Sequence, residues 1–245
     1  MKVVVVIQAR LASSRLPAKV LLDLGGVTAL ERCLRRARRF SHVAEVVVAT
    51  SDRPGDNIIA AVAKRLGARV TRGSEADVLS RFAKAARETD AEVIVRCTSD
   101  CPLLDPALSS LVIDRFLSAP GGVDYAANVL ERRLPRGLDT EVISRDALER
   151  ADRDATAQDE REHVTLHLYR NPERFRCLAV TTEGGTDRSA LRWTLDTLDD
   201  YRLLHAVFER LGPRADEASM AEVIALFEAD PELAQINAHI AQKTT

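Results

Sequence analysis

Five residues at the amino terminus, Val3-Val4-Val5-Val6-Ile7, form an unbroken β-branched run. A strand with one wet face alternates apolar and polar residues, so an uninterrupted run marks a strand buried on both faces. Similar runs follow at 45–49 and 92–95, with a shorter one at 68–71. Between them, 28–40, 56–66 and 75–88 carry apolar residues at helical spacing. Strands that alternate with helices build βαβ units, hence a mostly parallel sheet covered on both sides. Asp105-Pro106 reads as the start of a further helix, with Asp at the N-cap and Pro at the first helical position.

After Gly121-Gly122 the pattern changes. Residues 124–128, 140–144 and 175–181 read as short strands, and 160–169, 199–211, 220–228 and 231–242 as helices. The expected architecture is α/β, three-layered, with a mixed, mostly parallel sheet. At 245 residues one core suffices, so we expect one domain, residues 1–120 forming one half and 121–245 the other.

Composition narrows the partners. The formal net charge is −2, which gives no reason to expect a nucleic acid. No stretch approaches the roughly 20 apolar residues of a membrane span, and the first apolar run is too short for a signal-peptide core. A cytoplasmic protein with reduced thiols is expected. Of the cysteines at 33, 97, 101 and 177, only Cys97 and Cys101 are near neighbours, and their spacing is not that of a zinc site.

The segment from Gln8 to Lys19 leaves the carboxyl end of the first strand, where ligands bind in open α/β sheets. It offers Arg10, Arg15 and Lys19, the hydroxyls of Ser13 and Ser14, and the small residues Ala9 and Ala12, which let backbone approach a ligand. A triphosphate needs such fixed cations and N–H donors. Neither GxxxxGK[ST] nor GxGxxG occurs, which moves P-loop enzymes and NAD enzymes out of the front rank.

Two acids fall near the same edge. Asp100 follows the run at 92–95, and Asp196 ends the short apolar stretch from Arg192, read as a strand. Together they could hold Mg²⁺, which takes one or two protein carboxylates plus substrate phosphates. Each alone could equally cap a turn or a helix. Further on, Asp139 and Glu141 would share one face of a strand beside Gly137.

The stretch IQARLASSRLPAKVLLDLGG resembles the signature of the cytidylyltransferases that make CMP-activated sugars, and is closest to the branch typified by spore coat polysaccharide biosynthesis protein F. SDCPL at 99–103 resembles the DxP element of that family, and LDTLDDY at 195–201 its DTPEDL element. GLDTE at 137–141 and EREHVT at 160–165 resemble two further branch elements. The branch usually has glycine where this chain has Ala18, and an alanine there restricts the backbone.

The resemblance implies a Rossmann-like nucleotidyltransferase fold and a metal-dependent transfer from CTP to a sugar acid or similar small acceptor, with pyrophosphate leaving. Arg15, Lys19 and Asp100 would carry the chemistry, and Asp100 and Asp196 would be the metal ligands. Ala9, Arg10, Ser13, Arg72, Ser74, Arg81 and Thr98 would complete the nucleotide site. Asn128, Asp139, Glu141 and His163 would face the acceptor. A homodimer is in keeping with the family. Two rivals stand: a glycosyltransferase using a finished nucleotide sugar, and a nucleotide-binding protein without catalysis. The first usually carries a DxD motif, where this chain reads Asp100-Cys101-Pro102.

Overall fold

The computed structural model describes residues 1–182 and 186–241. The β-branched run becomes β1 (Val3–Ala9), and six of its seven residues are buried. Strands β2 (Val43–Ser51) and β4 (Val93–Thr98) flank β1 in parallel, and β3 (Arg69–Gly73) lies outside β2. The described sheet has seven strands in the order β3-β2-β1-β4-β6-β5-β7. Strand β6 (Glu141–Ser144) runs antiparallel between β4 and β5 (Tyr125–Ala127), and β7 (Cys177–Ala179) closes the edge parallel to β5. The sheet is thus mixed and mostly parallel.

Helices cover both faces. On one, α1 (Ala29–Ala37), α2 (Asn57–Arg65) and α4 (Pro106–Ser118) pack Leu30, Leu34, Ile59, Ile113 and Phe116 against Val3, Val5 and Ile7. On the other, α3 (Val78–Thr89), α5 (Arg145–Asp154), α6 (Gln158–Glu162) and α7 (Leu166–Arg170) follow in chain order. There Leu79, Phe82, Leu148 and Leu168 meet Val4 and Val6. Burying one such valine, isoleucine or leucine contributes about 1.5–3 kcal/mol, which is why the β1 run, apolar on both faces, occupies a central position. A third cluster joins α8 (Leu198–Leu211), α9 (Met220–Ala229) and α10 (Glu232–Gln235) to Leu24, Leu103, Leu138 and Trp193.

Caps set the ends of the site-bearing elements. Asp105 Oδ1 accepts from the N–H groups of Ala107 (2.8 Å) and Leu108 (3.0 Å), as expected of an N-cap before Pro106. Its Oδ2 accepts from Met220 N at 2.6 Å, so the same carboxylate ties α4 to the first residue of α9. Thr197 and Asp200 form a capping box at α8.

Three expected elements differ. The helix expected at 160–169 is two short ones, α6 and α7, because His163 (φ −103°, ψ 76°) leaves the helical region. The helix expected from 231 is only α10, and Gln242 lies outside the described residues. Residues 192–196 form no strand. Arg192 makes one isolated parallel bridge to Arg136, and Leu195 N donates to Asp100 O at 2.8 Å. Apolarity predicted an extended segment there but could not supply a neighbouring strand to pair with. Among the described residues no helix is long and apolar enough to cross a membrane.

Candidate nucleotide site

Three of the site's segments leave the carboxyl ends of parallel strands. After β1 the loop is pinned at its start, where Leu11 N donates to Asp56 Oδ1 at 2.8 Å. Asp56 is itself buried and receives the hydroxyl of Ser51, at the end of β2. The loop closes on itself where Ala18 N donates to Leu11 O at 3.0 Å. To turn there, Ala18 adopts φ 56°, ψ 21°, the left-handed region that favours glycine. The restriction expected of an alanine at this position is therefore real, and the chain tolerates it.

That turn aims Lys19 into the sheet edge. Its Nζ lies 2.6 Å from Asp100 Oδ2 and 2.7 Å from Asp196 Oδ1. Arg15 reaches the same Asp196 oxygen at 3.1 Å, and Arg192 holds the other, Oδ2, at 2.7 Å. Burial alone would push the Asp100 carboxyl up, but Lys19 beside it more than offsets this and holds it at about 2. Burial likewise acts to lower the Lys19 ammonium, yet Asp100 and Asp196 raise it on balance. Both partners therefore favour the ionised pair.

Above this cluster lies a cavity of about 250 Å³. Gln8 and Ala9 at the end of β1 and Arg10, Ala12, Ser13, Ser14 and Arg15 of the loop after it form one wall with Lys19 and Val20; Thr98 ends β4 and Ser99 and Asp100 follow it; Val78 and Arg81 come from α3; Glu162 and His163 come from the end of α6; Asp196 completes the lining. Of the residues predicted for the site, Ala9, Arg10, Ser13, Arg15, Lys19, Arg81, Thr98, Asp100, His163 and Asp196 are brought together here. Arg10 approaches Glu162 Oε1 to 3.5 Å across the cavity. Arg81 is 2% exposed and donates to Ser74 O at 3.0 Å. Burial lowers its pKa, and the nearby positive charge of Arg10 adds to that.

The other predicted residues lie outside this lining, and their polar groups are used within the fold. Arg72 donates to Ser51 O (2.9 Å), Asn57 Oδ1 (2.6 Å) and Arg53 O (2.9 Å). Ser74 Oγ accepts from Asp77 N at 3.1 Å, and the cap of α3 is Asp77. Asn128 donates to Leu138 O (2.8 Å) and accepts from Thr140 N (2.9 Å). Asp139 precedes β6 rather than lying on it, and Arg132 grips it with two bonds of 2.8 and 3.0 Å. Glu141 is 5% exposed and accepts from Arg96, from Tyr125 Oη (2.6 Å) and from Thr165 Oγ1 (2.6 Å). Burial acts to raise its carboxyl, but Arg96 and the two hydroxyls hold it below the usual glutamate range.

Several residues were not named for the site beforehand, Val78, Ser99 and Glu162 of the lining among them, and two stand out. Gln8 lines the cavity, and its Oε1 is buried without a hydrogen-bond partner. Its polar side chain directly after five apolar residues was the available signal. Arg192 gave none, because its role depends on Asp200 and Asn237, which only the fold brings to it.

The donor set fits a small divalent cation. Asp100 and Asp196 already converge on one cationic group, the Lys19 ammonium. Among the described residues no group of three or more His, Cys, Asp or Glu could hold a metal. Two carboxylates without a third protein ligand suit Mg²⁺ completed by phosphates and water, not an all-protein cage.

The family model described as Cytidylyltransferase matches residues 4–208. The chain belongs to the cytidylyltransferase family. Spore coat polysaccharide biosynthesis protein SpsF of Bacillus subtilis is 33% identical over 94% of this chain and 95% of its own length. Among solved structures, a cytidylyltransferase from Leptospira borgpetersenii superposes with a TM-score of 0.91 at 32% identity, covering 100% of both chains. CMP:2-keto-3-deoxy-manno-octonic acid synthetase, solved with CTP, shares the fold at a TM-score of 0.63 and 20% identity, over 86% of this chain and 99% of its own. The expected nucleotidyltransferase fold is therefore the observed one, and the protein is a nucleotidyltransferase of this family.

Proposed function

We propose that this cytidylyltransferase acts in the cytoplasm, transferring CMP from CTP to a sugar acid or related acceptor with Mg²⁺ and releasing pyrophosphate. The product would serve surface polysaccharide or glycoconjugate synthesis. The observation that carries the reading is Lys19 between Asp100 and Asp196, with Arg15 beside them, at one end of the cavity. A triphosphate and a divalent cation need that pairing of fixed cations with two carboxylates. The relatives support the rest: SpsF by its place in polysaccharide biosynthesis, and the 2-keto-3-deoxy-manno-octonic acid enzyme by its bound CTP.

In this reading an acceptor oxygen attacks the α-phosphorus of CTP. The new P–O bond forms as the bond to the β-phosphate oxygen breaks, and pyrophosphate departs in line. Asp100 and Asp196 would hold Mg²⁺, which would neutralise charge at the reacting phosphorus and on the leaving pyrophosphate. Arg15 and Lys19 bind and orient the triphosphate, Arg with a rigid fork and Lys with a compact charge. Ala9 and Ala12 leave room for backbone donors, Thr98 would contribute to the nucleotide side of the same cavity, and His163, also in its lining, would be the acceptor-side residue. Positioning and charge neutralisation make up most of catalysis in such transfers.

Pyrophosphate release, measured for CTP, ATP, GTP and UTP over a panel of sugar acids and phosphorylated polyols, tests this. Release is expected with CTP and Mg²⁺ and should stop with EDTA. Sugar transfer from a nucleotide sugar, with no pyrophosphate from any nucleoside triphosphate, would overturn it.

A further inference from the structure

Asp196 is held from behind by a second set of charges. Arg192 is 7% exposed, and a guanidinium at that depth is costly unless paired. One fork atom donates to Asp196 Oδ2 at 2.7 Å and to Asp200 Oδ2 at 3.2 Å, while Nε donates to Asp200 Oδ1 at 2.9 Å. Asp200 is fully buried, and its Oδ2 also accepts from the backbone N–H groups of Asp196 (3.1 Å) and Thr197 (2.9 Å). Backbone and carboxylate of Asp196 are thus referred to the same buried acid. A third residue completes the set: the amide nitrogen of Asn237 donates to Arg192 O at 2.9 Å and to Asp200 Oδ1 at 2.8 Å. Asn237 lies beyond residue 208, where the family match ends.

We propose that Arg192, locked by Asp200 and Asn237, is a positioning residue that turns Asp196 to offer the metal a single oxygen, and that the carboxy-terminal segment thereby tunes metal affinity. The proposal rests on the reading of Asp100 and Asp196 as metal ligands. With Oδ2 committed to Arg192, Oδ1 remains, and it is the atom that Lys19 and Arg15 now share. One-oxygen ligation suits Mg²⁺, whose octahedral shell tolerates little distortion. Charge-assisted bonds of this kind are the strong ones and keep the ligand from rotating.

The test uses Mn²⁺ as a spectroscopic substitute, its free concentration read by electron paramagnetic resonance with the non-hydrolysable α,β-methylene-CTP present. Arg192→Lys keeps the charge but loses the fork, and should weaken Mn²⁺ binding about tenfold, the scale typical of partners that orient metal ligands. Asn237→Ala should weaken it in the same direction by a smaller factor. Neither should change affinity for the analogue in EDTA. Val223→Ala, in the packed interior of α9, should lower the melting temperature and leave Mn²⁺ affinity unchanged, which separates positioning from general destabilisation. Wild-type Mn²⁺ affinity in both Arg192→Lys and Asn237→Ala would overturn the proposal; if the arginine variant does not fold, the asparagine variant decides alone. Should Asp196→Asn bind Mn²⁺ as tightly as wild type, the metal-ligand reading itself falls, and this proposal with it.

Discussion

Replacing Glu141 with Gln keeps its shape but removes the counter-charge of Arg96, a guanidinium whose side chain is only 15% exposed. Breaking a buried ion pair by neutralising one partner costs about 3–5 kcal/mol. The glutamine carbonyl can still accept from Tyr125 and Thr165, so the lower end, about 3 kcal/mol, is expected here. At about 2–4 °C per kcal/mol for a chain of this size, the melting temperature should fall by about 6–12 °C. Exchanging Arg96 for Met in the same variant removes the stranded charge and should recover at least half of the loss. Acid adds a second readout. The folded carboxyl of Glu141 titrates below the ordinary value of 4.5, so its contribution is present above about that pH and is lost as pH falls through the folded value. The stability gap between wild type and Glu141→Gln, followed by urea unfolding, should therefore narrow on acidification below about pH 4.5. A loss under about 1 kcal/mol would refute the reasoning, as would a double variant no better than the single. An effect confined to the acceptor KM with unchanged stability would return Glu141 to the acceptor site.

Three further outcomes are expected. Lys19→Ala and Asp100→Ala should each lower pyrophosphate release by about 10²–10³, the usual scale for one preorganised charge partner, with near wild-type circular dichroism; near wild-type turnover would remove them from the chemistry. Gly137→Ala should be strongly destabilising, by roughly 2–3 kcal/mol or more. Its φ is +106° and an added Cβ would lie 2.7 Å from the Trp193 carbonyl carbon and oxygen, so unchanged calorimetry would refute that close approach. Ala18→Gly relieves a left-handed alanine, which costs about 1–2 kcal/mol, against about 0.4–1 kcal/mol of added unfolded-chain freedom. A small rise in melting temperature is expected, and a fall would argue against the left-handed turn.

The part of the site that was legible in the sequence is the part built from contiguous loops. The β1 run announced a doubly buried strand, and the loop after such a strand lies on the ligand edge in this architecture; the placing of Arg15, Lys19 and Asp100 rests on that. Asp139 and Glu141 look alike in sequence because the residues that neutralise them, Arg132 and Arg96, are brought to them by the turn before β6 and by the β4–β6 pairing. The reversal of β6 was illegible for a similar reason: four residues carry no direction, and the neighbour decides it. The segment at 192–196, read as a strand, found its partners in single bonds to Arg136 and Asp100 instead of a ladder. His163 divides a stretch whose apolar spacing is continuous, and the break is what lets α6 end at the cavity.

Lys19 and Arg15 together balance the charges of Asp100 and Asp196, and Arg192 balances Asp200. Arg10 faces Glu162, which leaves Arg81 as the one surplus positive charge of the lining among the described residues, so the cleft is close to electroneutral before anything binds. A divalent ion entering by itself would have to displace an ammonium from two contacts under 3 Å and would leave the cleft with surplus positive charge. An ion arriving already chelated by a polyphosphate brings the anion to which Lys19 and Arg15 can transfer. On the proposed function the resident lysine would act as a filter on the order of loading, favouring the metal–nucleotide complex over the bare metal, and metal titrations with and without nucleotide would read that preference directly.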